Sequence, residues 1–431
     1  MFENIVGHEQ LVAALRRELQ ADRFPRASLI HGPAYSGKCS LALEIARVLG
    51  CELQGAWGCR CAHCCQHLDL SYPYLLMLGW RYFEADIRAA AATLGRVESD
   101  GARYLFARSA RRLTRRYDPL LWEGEESKLR TVAPLVAEVN ELAEEIVPPS
   151  ALAADDLRAA VARIAELATK LQAALRSDNI AIAQLRNVES WLHLSTDQGR
   201  KVVILEHAEG MGESSRNALL RLLEEPPRDC HVILLTRRAD ALNATLRSRL
   251  REYSTASRSI AVGREVITKI FRDDATDAAS LRGFFLGFHD PPPAELREAA
   301  TRFVERVLER AGVGRTAAAG PPTPATGYAA ADRLSRPLDR EAFVTMLEEV
   351  AEVVRAAAAP GAGGLAVDPS LAARWAEHLD HAHASVMLLR QQPGHVLQRL
   401  GVAMADAARH SSSTRPGGQG ERGQLPAVAA A

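Results

Sequence analysis

No run of about 18 apolar residues occurs in the 431-residue sequence, so no membrane-spanning helix is expected. The first residues, MFENIVGHEQ, lack a basic region followed by an apolar core, and no export signal is expected either. Net charge is missing as well: 53 acidic residues cancel 53 basic ones. No global field then draws the chain to nucleic acid, and any such contact has to be local. Lysine is scarce, supplying only five of the 53 basic residues, a bias that fits codon usage better than chemistry. Cysteine is sparse outside one place. Five of the seven cysteines crowd into residues 51–65, and without an export signal that pattern reads as metal ligation rather than disulfides. What is present is length enough for two or three domains in a cytoplasmic protein.

Residues 9–21 carry helical periodicity and lead to a short apolar run, ASLIH, and a glycine loop, HGPAYSGKCS. CSLALEIARVLG then continues at helical spacing. Two more apolar runs, KVVILEHA (201–208) and HVILLTRR (231–238), flank a helical segment stopped by Pro226 and Pro227. Strands alternating with helices predict a parallel α/β sheet. Residues 80–177 interrupt the alternation, with helical stretches at 127–147 and 151–176 joined by VPPS as a helical hairpin. Beyond 256 the pattern is helical, broken at HDPPPAE, at 314–327 and at APGAGG, and the last twenty or so residues are polar and Gly/Pro-rich enough to be disordered.

Strand, glycine loop and helix together make a phosphate-binding loop credible, with Gly32 and Gly37 opening the backbone and Lys38 meeting phosphate charge. A plain glycine-rich turn is the bland alternative. The hydroxyl that should follow the lysine is replaced by Cys39, a poor ligand for a hard cation. Ser40 is rotated roughly 100° around the helix and is no easy substitute. In the second strand Glu206 stands where an acid would meet Mg²⁺, and His207 stands where a base would activate water. Glu206 can reach a metal through water, and His207 can take a proton near neutral pH. The blander reading, in which His207 replaced a base no longer needed, is favoured. Both sides of one site are altered.

The segment Asn217–Pro227, NALLRLLEEPP, resembles the NALLKxLEEPP motif of the bacterial clamp-loader AAA+ family, whose members load the sliding clamp for DNA polymerase III. Thr236 falls at that family's sensor 1 position, and Ser248-Arg249 resembles its Ser-Arg-Cys segment with Leu250 replacing the cysteine. The opening FENIVGHEQLVAALRREL is similar too, so the likeness spans 1–79 and 178–255, while 80–177 matches no motif. The two alterations at the phosphate site make the delta-prime type the best likeness. The resemblance implies an AAA+ P-loop NTPase-like parallel sheet in two parts, 1–79 with a zinc module and 178–255, split by the 80–177 helical insertion. A helical lid (256–313), a linker (314–337), a helical collar (338–410) and a disordered tail (411–431) are expected to follow.

By the same resemblance the chain joins a pentameric, hetero-oligomeric ring with gamma/tau-type ATPase and delta-type subunits, the sliding clamp and primed DNA, at replication forks within the DNA polymerase III holoenzyme. Its own ATPase is then weak or absent, and ATP with Mg²⁺ is a possible but poorly held ligand of Gly32, Gly37, Lys38, Cys39, Ser40 and Glu206. Arg249 is implied to be an arginine finger acting on a neighbour's ATP, since a guanidinium spreads its charge over γ-phosphate oxygens. An exposed helix-end arginine is the alternative. The family's zinc module implies a structural Cys₄ site from Cys51, Cys59, Cys61 and Cys64, although the register expects a ligand at Gly58 rather than Cys59. Cys65, His63 and His67 are spare, and unmetallated cysteines are the alternative.

Two features stay open. Residues 102–117 hold six arginines and no acid, with Tyr104, Phe106 and Tyr117 interleaved. That composition suits DNA contact, but a solvated basic helix face is commoner. Asp380, His381 and His383 lie on one helix with no fourth ligand in view, and read as a solvated face. An active gamma/tau-type ATPase and a DNA-binding adaptor with a vestigial loop are the competing functions.

Overall fold

The computed structural model describes residues 1–150, 152–175, 180–195, 199–224, 226–278, 280–289, 291–312, 338, 340–359, 367–387, 389 and 391–412. The expected linker (314–337) lies outside them, as does the expected tail beyond residue 412.

Five short segments pair in parallel: β1 (Ala27–His31), β2 (Leu75–Leu78), β3 (Lys201–Leu205), β4 (Cys230–Thr236) and β5 (Arg251–Ser254), in the order β2-β3-β4-β1-β5. Helix α1 (Glu9–Gln20) precedes the sheet, while α2 (Lys38–Gly50) and α3 (Ala62–Leu68) lie between β1 and β2. The insertion holds α4 (Glu84–Arg96), α5 (Asp100–Thr114), a 3-10 turn at Arg115–Tyr117, α6 (Glu126–Leu129), α7 (Ala133–Ile146) and α8 (Ala154–Ala174). Then come α9 (Ile182–His193), α10 (Glu213–Glu224) after β3, α11 (Ala244–Arg247) after β4, and α12 (Ile260–Phe271) and α13 (Leu281–Leu286) after β5.

Helices on both faces bury β1 to β4, which is why those strands read as nearly continuous apolar runs. Alternate residues serve opposite faces: Ile30, Met77 and Ile204 pack with Leu41 and Ile45 of α2, whereas Leu29, Leu78 and Leu205 pack with Leu185 of α9 and Leu219 of α10. The register sets His31 beside Thr236 and Ser254, and Leu78 beside Leu205. The strand ends therefore form one edge, and the next residues along the chain are Gly32, Gly79, Glu206, Arg237 and Thr255. Ligands of open α/β sheets bind outside this carboxyl edge.

The insertion has its own core, including Phe83, Phe106, Leu113, Ile146, Ile164 and Leu171, and α7 packs on α8 as the expected hairpin. Its basic stretch corrects the sequence reading. Phe106 and Tyr117 are buried, so neither can stack on bases, and Arg111 and Arg116 are buried too. Arg111 pairs with Asp69, Arg115 donates to the carbonyls of Leu70 (2.7 Å) and Tyr72 (2.9 Å), and Arg103 donates to that of Ile146 (3.3 Å). Arg111 and Arg115 stitch the insertion to the sheet domain and Arg103 ties α5 to α7, instead of forming a solvated or DNA-facing surface.

The chain divides into two compact units, Met1–Phe288 and His289–Ala431. Helices α12 and α13 belong to the first and pack near α4. Helix α14 (Pro293–Ala311) belongs to the second, with α15 (Arg340–Ala358), α16 (Pro369–Met387) and α17 (Pro393–Ser412). The segment 256–313, expected as one lid, is thus shared between the units, and α17 runs past the expected start of the tail. In the second unit Trp375 is fully buried with Phe303, Phe343 and Met346, and its indole N–H donates to the Met404 carbonyl at 2.8 Å. Asp380, His381 and His383 are exposed on α16. Among the described residues no helix is long and apolar enough to cross a membrane.

Candidate functional site

The glycine loop joins β1 to α2 with both glycines at positive φ, 143° at Gly32 and 91° at Gly37. A Cβ on Gly32 would stand 2.2 Å from the Thr255 carbonyl oxygen, so the close approach itself requires glycine. Lys38 opens α2, and its ammonium donates to the carbonyls of Gly32 (2.7 Å) and Pro33 (2.6 Å). Burial, aided by Arg237, lowers its pKa to about 8. Arg258, absent from the sequence reading, braces the loop by donating to the carbonyls of Tyr35 (2.8 Å) and Val6 (3.2 Å).

Glu206 follows β3 and is only 5% exposed. Its Oε1 accepts from Arg116 Nη2 at 2.7 Å and its Oε2 from Arg81 Nη1 at 3.3 Å, while Cys39 Sγ donates to Oε1 at 3.4 Å. Arg116 also donates from Nε to the Gly79 carbonyl (2.8 Å) and lies over the Phe83 ring. Arg81 pairs with Asp86 at 2.6 Å, and Arg112 meets the same carboxylate at 3.3 Å. Burial alone would raise the pKa of Glu206, but Arg81, Arg116 and Arg112 outweigh it and hold the carboxyl well below the usual range. Burial also pushes the Cys39 thiol up.

The structure thus brings Gly32, Gly37, Lys38, Cys39, Glu206 and Thr236 together at the sheet's carboxyl edge. Ser40 is exposed. His207 takes a left-handed backbone (φ 55°), and burial with Arg237 lowers its pKa to about 4, leaving a weak base. Thr236 is buried, and its hydroxyl is engaged by Arg238, donating to that residue's carbonyl (3.0 Å) and accepting from its N–H (3.1 Å). Arg249 lies just beyond α11, where its guanidinium donates to the Thr245 carbonyl and to Glu224 Oε1, both at 2.9 Å. It is 32% exposed, and its partners lie on α10 and α11 rather than in the glycine loop.

At the far end of α2, the sulfurs of Cys51, Cys59, Cys61 and Cys64 all lie within 4.8 Å of one another. The Cys51 sulfur is 3.7 Å from that of Cys59 and 3.9 Å from that of Cys61. Four thiolates around an ion bonded at about 2.3 Å stand about 3.8 Å apart, so this set can hold a metal ion. The N–H groups of Leu53 and Gly55, each at 3.2 Å, aim at Cys51, and Arg47 Nη1 donates to Cys64 at 3.2 Å. For Cys61, burial raises the pKa, but hydrogen bonds from the backbone overcome it and bring it to about 7. Cys59, not Gly58, supplies the sulfur. Cys65 is exposed, His63 bonds the Gly50 carbonyl (2.8 Å), and His67 is buried on the Tyr72 ring; none joins the cluster.

The converging arginines 81, 112 and 116 were missed as site residues. For Arg112 and Arg116 the signal was the acid-free arginine run 102–117, which sequence alone directs outward as readily as inward, whereas Arg81 lies outside that run and carried no signal.

Residues 153–257 match the family profile described as "DNA polymerase III, delta subunit". The match takes in α8, so part of the insertion lies within the family-like segment, and it leaves the glycine loop and cysteine cluster outside. The chain is 33% identical over 101 residues to DNA polymerase III subunit delta' of Pseudomonas aeruginosa, covering 23% of this chain and 30% of that one. It is 40% identical over 72 residues to the subunit delta' of Yersinia pestis, covering 16% and 21%. It therefore spans less than a third of the length of the curated relatives it matches. A solved gamma subunit-related protein of DNA polymerase III from Thermotoga maritima aligns at a TM-score of 0.30 and 15% identity, over 54% of this chain and 82% of that one. The five strands form one parallel sheet, and over the matched segments the chain resembles the DNA polymerase III subunits delta'.

Proposed function

We propose that the chain is a delta-prime-like subunit of a DNA polymerase III clamp loader, helping to load the sliding clamp onto primed DNA beside subunits that hydrolyse ATP. The observation that carries this reading is the state of Glu206: the carboxylate at the metal position is already bonded to Arg116 and Arg81, beside Cys39 in place of a hydroxyl. A motor subunit needs that carboxylate free. The adaptor reading loses its support because the basic stretch is spent inside the fold. Arg249 serves as an arginine finger for a neighbour, leaving Glu224 for the γ-phosphate when the ring closes. The four cysteines hold zinc as a closed structural site, with no open position for chemistry.

The test is turnover in a reconstituted ring of gamma/tau-type ATPases, a delta-type subunit and this chain. The isolated chain is expected to show no Mg²⁺-dependent hydrolysis that Lys38→Ala removes. Arg249→Ala is expected to leave assembly intact and to slow the one site it serves by about 10³-fold. Arg247→Ala, whose guanidinium is paired with Glu252 (2.9 Å), is expected to change little. Unchanged ring turnover with Arg249→Ala removes the finger, and rapid hydrolysis by the isolated chain overturns the passive reading.

A further inference from the structure

The insertion has a job at the loop site. Arg116 comes from the 3-10 turn after α5 and Arg81 from the corner after β2, and both are set by α8. Gln172 of α8 accepts from the Phe83 N–H (2.8 Å) and donates to the Arg81 carbonyl (3.2 Å). Tyr117 donates its hydroxyl to the Leu171 carbonyl at 2.6 Å, pinning the turn beside Arg116. Arg116 is 2% exposed, and its second anchor is the Gly79 carbonyl. Gly79 itself lies against the Glu206 backbone, where a Cβ would stand 2.0 Å from the Glu206 carbonyl oxygen. Two carboxylate oxygens thus meet two guanidinium groups and a thiol in a buried space. A hard divalent cation requires free oxygen ligands. Here one oxygen donor has become sulfur and the other is neutralised, so the residues present do not fit Mg²⁺.

We infer that the insertion supplies an internal cation, chiefly Arg116 with Arg81, that replaces the divalent metal at the carboxyl edge of the sheet, so that any phosphate-bearing ligand of the glycine loop binds without one. Each guanidinium gives Glu206 one charge-assisted hydrogen bond, to a different carboxylate oxygen, and a guanidinium cannot be titrated away. The inference rests on the degenerate-site reading only for the identity of the loop.

The experiment titrates Mn²⁺ into the full chain with and without ADP, following loss of the free-ion EPR signal. The wild type is expected to hold no Mn²⁺ that depends on Glu206. The Arg81→Ala/Arg116→Ala variant is expected to bind Mn²⁺ at least about tenfold more tightly, a change of 1.4 kcal/mol, and Glu206→Gln on that background is expected to abolish the gain. Mn²⁺ held by the wild type and lost in Glu206→Gln overturns the inference, as does a double variant that folds yet gains nothing. Should the double variant fail to fold, Glu206→Gln alone decides. Stripping the carboxylate partner from the buried Arg116 and the half-buried Arg81 is expected to lower Tm by about 10 °C, whereas an unchanged or raised Tm refutes the internal pairing. Glu206-dependent Mn²⁺ binding by the wild type without hydrolysis defeats this inference alone; hydrolysis by the wild type defeats the proposed function as well.

Discussion

At the scale of single residues, burial decides which titratable groups act and which are held silent. His231 is the second residue of β4, is 6% exposed, and its Nδ1 donates to the Pro25 carbonyl at 3.1 Å. Burial lowers its pKa from 6.5 to about 4. The unfolded chain therefore binds a proton between those values that the folded chain refuses. The stability His231 contributes is complete above pH 6.5 and declines as pH falls toward 4. Replacing it with Gln is expected to flatten the acid limb of a pH–stability curve in that window by at most about 1.4 kcal/mol per pH unit. An unchanged slope in denaturant titrations would show that His231 carries no such linkage. Residue identities alone expose the altered loop, because Cys39 and His207 stand at fixed offsets from Lys38 and the strand. They leave the fate of Glu206 undecided, since its partners come from positions 81 and 116.

At the scale of elements, long amphipathic helices and buried strands were legible because periodicity and apolar runs record which side is covered. The strands β2 and β5 were not. LLML spans only four residues, and REYS is polar with a single buried tyrosine, so neither carries a pattern that separates strand from loop. Helix α5 misled for a related reason. Its arginines meet carbonyl groups and carboxylates from distant segments, which composition cannot report. The cysteine element is the opposite case, because its four sulfurs are close in sequence and the cluster was visible at once. Cys64→Ser is expected to lose bound metal on purification, measured by elemental analysis, and to lower Tm, because binding of the ion is folding energy. Cys65→Ser is expected to keep the metal and to stay within about 0.5 kcal/mol of the wild type. Equal metal content in both variants would show that Cys64 is not a ligand.

At the scale of the whole molecule, two units with separate cores are expected to carry separate stability. Trp375 is fully buried in the helical unit, and Trp375→Ala is expected to cost about 3–5 kcal/mol there. The metal content of the cysteine cluster, which lies in the other unit, is expected to be unchanged. A matching loss of metal would show that the units unfold as one. The sequence by itself determined the alternating sheet, the glycine loop with its two alterations, the cysteine cluster and the clamp-loader likeness, because each is written in local spacing and in the burial that local spacing records. Only the tertiary structure decided what the insertion's arginines do, where the lid segment divides and how Glu206 is neutralised. Those outcomes depend on contacts between residues up to 125 positions apart, the separation of Arg81 from Glu206. Geometry, not composition, determines whether a guanidinium faces a carboxylate or water.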